Sequence, residues 1–95
     1  MTTLEIAHIR EQGQEMIIVP LDRTFASKSP GQREMVLRAL QFSAAAARLA
    51  GTVVPVWDAG GGRMGFIAPR PWHPFFGSLD LRRVQAILNR RLTIG

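Results

Sequence analysis

The sequence predicts an α+β fold of ββαββα order, in which two tandem ββα units form a mostly antiparallel four-stranded sheet with two helices. Three observations lead there. Apolar runs of strand length come in two pairs, each joined by a glycine-containing turn. Each pair is followed by a helix-start signal and a helically spaced apolar stripe. The two stretches also correspond under a single gapless shift of 48 residues.

Leu4 to Arg10 and Glu15 to Pro20 flank Glu11-Gln12-Gly13-Gln14, the pattern of a hairpin. Met16-Ile17-Ile18-Val19 is apolar at four consecutive positions, so this strand is expected to be covered on both faces. The polar stretch from Asp22 ends in a helix start, with Ser29 as N-cap, Pro30 at the first helical position and Gln32 completing a capping box. A helix near residues 30 to 50 then carries Met35, Val36, Ala39, Leu40, Ser43, Ala46 and Ala47 as its core stripe. Glu34, Arg38, Gln41 and Arg48 fall opposite. Arg48 interrupts the alanine run Ala44 to Ala47, which reads as close packing on a sheet and not as a membrane segment. Gly51 is expected to supply a left-handed C-cap.

The second unit begins with Thr52 to Asp58 and Met64 to Ala68 on either side of Ala59-Gly60-Gly61-Gly62. No Gly-Lys-Ser/Thr follows the glycines and the next element reads as a strand, which argues against a phosphate loop. Ser78 is placed to cap a last helix near residues 79 to 92, with Leu81, Val84, Leu88 and Leu92 on one face and Arg82, Arg83 and Arg90 on the other. The shift of 48 aligns Gly13 with Gly61, Met16 with Met64, Ile18 with Phe66, Val36 with Val84 and Leu40 with Leu88. One domain over residues 1–95 is therefore expected, with an internal pseudo-repeat of approximately 3–50 and 51–95 packed about a twofold axis.

Composition limits the function classes. With 46% hydrophobic and 20% charged residues the chain has enough apolar surface to fold as one core. The absence of cysteine excludes disulfides, thiolate zinc sites and cysteine nucleophiles. No run approaches the 18 or so apolar residues of a membrane span, and the first residues lack the pattern of a signal peptide. A cytoplasmic location without membrane contact is the expectation. The net charge of +5 favours anionic partners, although all but Lys28 of the twelve basic residues are arginine, a bias that GC-rich codon usage also produces.

Catalytic chemistry finds little material. Ser27 and Ser29 are explained as turn and cap residues. His8, His73 and Asp58 lack the short ligand spacings of a structural metal site, so no metal and no cofactor are expected. What remains is binding. The strands present apolar residues on both faces: Leu4, Ile6, Met16, Ile18, Val54, Val56, Met64 and Phe66 in one alternating set, Ile9, Ile17, Val19, Val53, Trp57 and Ile67 in the other. Two helices cover one face of such a sheet, or part of each, and the remaining patch predicts self-association or a protein partner.

The leading expectation is thus a non-catalytic binding or assembly module, a homodimer or a protein-partner domain. Its contacts would be Val53, Trp57 and Ile67 on the sheet, or Trp72, Phe75 and Phe76 in the aromatic loop that follows Pro71. The favoured reading of that loop, however, is a plug for the end of the core. The rival expectation is a nucleic-acid binder in which Arg63, Arg70, Arg82, Arg83 and Arg90 contact phosphates.

Overall fold

The computed structural model describes residues 2–94. In chain order they form β1 (Thr2–Glu11), β2 (Gln14–Pro20), α1 (Pro30–Ala46), β3 (Thr52–Gly60), β4 (Arg63–Phe66), α2 (His73–Gly77), α3 (Leu81–Ile87) and β5 (Arg90–Ile94). Short 3-10 turns, Arg23–Ser27 and Arg70–Trp72, precede α1 and α2. The α+β class agrees with the sequence. The sheet has five strands in the order β4-β3-β2-β1-β5, and it is mixed. β2 and β3 run parallel, while the other three neighbouring pairs are antiparallel.

The fifth strand corrects the expected last helix. β1 is longer than its hairpin: only Ala7 to Glu11 pair with β2, between Ala7↔Ile18 and Glu11↔Gln14. The backbone of Thr2 to Ile6 finds its partner on the other edge, from Thr2↔Ile94 to Ile6↔Arg90. Arg91 to Ile94 alternates polar and apolar, and Leu92 is buried where a helix would have placed it beside Leu88. Asn89 makes the switch from helix to strand: His8 N–H donates to Asn89 Oδ1 at 2.8 Å and Asn89 Nδ2 donates to the His8 carbonyl at 2.9 Å. One side-chain amide thereby stands in for a further residue of the ladder.

The parallel pair removes the expected twofold packing. α1 is the crossover that lets β3 lie beside β2 in the same direction, from Met16↔Thr52 to Pro20↔Val56. In the order β4-β3-β2-β1 the centre relates β2 to β3 and β1 to β4, whereas a repeat of 48 residues would relate β1 to β3. Two hairpins recur along the chain without a twofold axis between them.

Each face of the sheet has its own cover. On one side Ile6, Ile17, Val19, Val53 and Leu92 lie under Leu40 and Ala44 of α1. On the other, Ala7, Met16, Ile18, Val54 and Val56 lie under Phe76 of α2 and Val84 of α3. The bare apolar sheet surface expected from counting helices is therefore absent among the described residues, because the 68–79 segment, which contains α2, and α3 cover the second face. Leu4 and Ile6 also change sides relative to the sequence reading. The hairpin turn decides this: Gln12 and Gly13, at φ 50° and 77°, make a two-residue turn of type I′ that pairs Ile9 with Met16.

α1 starts as read, with the Ser29–Gln32 capping box and Pro30 in the first turn. Its end differs. The Leu49 N–H donates to the Ala44 carbonyl at 2.9 Å and the Arg48 N–H to the Ala45 carbonyl at 3.0 Å, the two bonds of a Schellman motif, with Arg48 at φ 60°. The left-handed cap is thus Arg48 and not Gly51. Left-handed backbone is strained for a side-chain-bearing residue, so Arg48→Gly is expected to stabilise the fold by about 0.5–1 kcal/mol. A urea midpoint that rises at constant slope is the readout, and a fall would show that the arginine side chain contributes more than its backbone strain removes.

Candidate functional site

The residues first considered for an interface are mostly inside the protomer. Val53 is buried in the layer under α1. Trp57, 7% exposed, packs on Phe25 with ring centroids 4.9 Å apart, and the Arg33 guanidinium lies 5.6 Å from the indole. Ile67 is half-buried and its N–H donates to the Pro55 carbonyl. In the aromatic segment Phe76 is buried between Phe66 and Phe75, at 5.5 and 5.1 Å, and Trp72 and Phe75 are half-buried against the same layer. His73 stands edge-on to Phe66, and its Nε2 donates to the Ala68 carbonyl at 2.9 Å. The loop thus holds the second core layer in place. A shallow groove of about 410 Å³ remains between Trp72, Phe75 and the β1–β2 turn.

The arginine candidates are all exposed, but they do not share one groove. Arg63 and Arg82 line a depression of about 300 Å³ at the triple-glycine turn, together with Asp58 and Asp80, so its charge is balanced. Arg70 begins the 3-10 turn before α2, Arg83 lies on α3 and Arg90 opens β5.

The hydroxyls and carboxylates hold the backbone. Ser29 caps α1, and Ser27 Oγ donates to the Thr24 carbonyl at 2.8 Å. His8 Nε2 donates to the Ala50 carbonyl, also at 2.8 Å. Asp58 accepts from the Gly60 N–H at 2.8 Å and from Arg23 Nη2 at 3.1 Å, and these bonds hold its carboxyl below the usual aspartate range. Asp22 is lowered likewise by the Thr24 N–H. A carboxyl with a depressed folded-state pKa adds stability above its unfolded value and loses it as pH falls through the folded one. Stability is therefore expected to decline with acid below about pH 4, and less steeply in Asp58→Asn, as followed by urea midpoints across that range. Among the described residues no group of three His, Asp or Glu converges as metal ligands, and no helix is long and apolar enough to cross a membrane.

The surface that sequence reasoning missed is the outer face of α1. Met35 and Phe42 are 72% and 76% exposed, and they are the large hydrophobic side chains left in solvent among the described residues. The helix sits rotated from the expected phase. Val36, Leu37, Leu40 and Ala44 face the core, and the Gln41 amide clamps β3, donating to the Gly51 carbonyl at 3.1 Å and accepting from the Val53 N–H at 3.0 Å. That rotation turns Met35, Ala39, Phe42 and Ala46 outward as one row. Beside its C-terminal half, Phe42, Ser43 and Ala46 border a groove of about 440 Å³ whose far wall is Arg91 and Thr93 of the edge strand β5. No protein-family model, no curated protein and no solved structure matches the chain.

Proposed function

We propose that the protein is a non-catalytic binding and assembly module, and that its contact surface is the outer face of α1. One observation carries the reading: the bulky apolar side chains that the fold leaves in water, Met35 and Phe42, stand on the same row of one helix, next to a groove. Scattered exposed apolar residues are ordinary, but a continuous row of them on a helix is the form in which helices dock on other polypeptides. The sheet faces and the aromatic loop, where the sequence first pointed, are occupied by the protomer's own core.

The test is capture from native extract with wild-type and Phe42→Ser baits. Partners that are retained through rising salt and lost with Phe42→Ser support the reading. Partners that stay bound to Phe42→Ser remove it. Material that is nucleic acid and leaves steeply with salt would favour the exposed arginines instead, since each phosphate contact releases counterions.

A further inference from the structure

We infer that α1's outer face binds a second copy of this chain, by antiparallel packing of α1 on the partner's α1 about a twofold axis. This rests on the reading of that face as the docking surface and names its occupant.

The row has the spacing of a helix-packing seam. Met35, Ala39, Phe42 and Ala46 follow one another at intervals of four, three and four residues, the alternation that keeps side chains on one line along a helix. All four are exposed. Their sizes also alternate, large, small, large, small. When the row is laid against itself in reverse, Met35 meets the partner's Ala46 and Ala39 meets the partner's Phe42, so every bulky side chain faces an alanine. Packing of large on small across facing positions is what lets two layers interdigitate. A parallel pairing would instead set Phe42 on the partner's Phe42 and leave the alanines facing a gap. The sequence of the row is thus self-complementary in one orientation, the isologous relation that a twofold dimer requires.

Charge along the helix itself points to the same face, with Arg91 standing across the groove on β5. A chain of net charge +5 repels its own copies, so they approach most easily where the surface is neutral. Glu34 and Arg38 flank the row and bond to each other, Arg38 Nε to Glu34 Oε1 at 3.3 Å. Arg33, also on α1, is turned away to the Phe25 and Trp57 rings. A contact of β5 with the partner's β5, edge to edge, would bring together Arg90 and Arg91 from both copies, the kind of charge that blunts an edge strand.

The contact is small. The row spans about 16 Å at 1.5 Å rise per residue, which with the groove beside it puts the interface at the low end of stable dimers and the dissociation constant in the micromolar range.

Sedimentation of the purified chain over a concentration series tests this. Wild type is expected to dimerise at micromolar concentration, and Phe42→Ala to raise the dissociation constant by about tenfold or more. The deciding variants exchange the sizes. In A39F/F42A and in M35A/A46M each large side chain again faces an alanine in the antiparallel pairing, so both exchanges are expected to dimerise within about threefold of wild type. All four positions are exposed, and unchanged unfolding midpoints would confirm that the protomers are intact. Wild type that stays monomeric to about 1 mM overturns the inference, as do exchanges no tighter than Phe42→Ala. Should the purified chain stay monomeric while partners from extract still depend on Phe42, the second copy is wrong and the docking face stands. Loss of both removes the two together.

Discussion

Trp57→Ala is expected to lower the free energy of unfolding by about 3–5 kcal/mol, the range for emptying a large aromatic from a packed core. The side chain is 7% exposed and has a partner on every side. Phe25 packs at 4.9 Å, Arg33 lies over the ring at 5.6 Å, and Gly65 of β4 faces it so closely that a Cβ there would stand 2.4 Å from the indole. Three elements therefore meet at one ring: the 3-10 turn after β2, the first turn of α1 and the edge strand β4. Removing it leaves Phe25 and Arg33 without their neighbour, and the hydrogen bonds of Arg33 to the Phe25 and Ala26 carbonyls lose the surface that positions the guanidinium. The measurement is a urea unfolding curve, joined to sedimentation. A residue of the protomer core shifts the midpoint and leaves self-association as it was. A loss below about 1 kcal/mol accompanied by dissociation would instead make Trp57 a contact between chains.

The parts of the fold that were legible in the sequence are those specified locally. The Ser29–Gln32 capping box, the Gln12-Gly13 turn and the four apolar positions of β2 each depend on neighbours a few residues away, and each stands where the residues put it. Misread features depend on distant partners. Arg90 to Ile94 carries leucine and isoleucine at spacings that also continue a helix, and it is a strand because the first half of β1, which does not pair with β2, offers its backbone to a distant segment on its other side. Sequence alone does not fix the phase of α1, because its alanines extend the apolar positions around the helix. What fixed the phase is tertiary: the Gln41 amide bonded to β3, and Arg33 stacked on Trp57. Once the helix is turned by those contacts, Met35 and Phe42 come out into solvent. Phe42 lies outside the apolar stripe that helical spacing picks out, yet it stands two turns from Met35 through Ala39. Arg63, Arg70, Arg82, Arg83 and Arg90 are exposed, but sequence spacing gives no indication that Arg63 and Arg82 share a depression with Asp58 and Asp80.

Gly51→Ala is expected to be at least as damaging as the loss of a core side chain, at about 3 kcal/mol or more, because nothing around it can yield. Gly51 precedes β3 at φ 131°, a conformation that side-chain-bearing residues rarely adopt, and a Cβ would stand 2.8 Å from the Glu15 carbonyl oxygen and 2.9 Å from its carbon. Both atoms are backbone of β2, next to the Met16↔Thr52 pair that opens the parallel ladder. Relief requires β3 to move off β2 at the joint between the two hairpins, and with it the Gly51 carbonyl that accepts from Gln41. At Gly65 the clash is shorter, but the neighbour is the Trp57 ring, which can tilt at the expense of its packing on Phe25. Gly65→Ala is therefore expected to cost less than Gly51→Ala despite the closer approach. Gly31 in the first turn of α1 supplies the control, since a Cβ there meets nothing within 4 Å and its φ is ordinary. Gly31→Ala is expected to stabilise by about 0.5–1 kcal/mol through helix propensity. Urea midpoints of the three variants, measured side by side, check the order. If Gly51→Ala were as benign as Gly31→Ala, β3 would not be held against β2 at Glu15, and the parallel joint would be looser than its register implies.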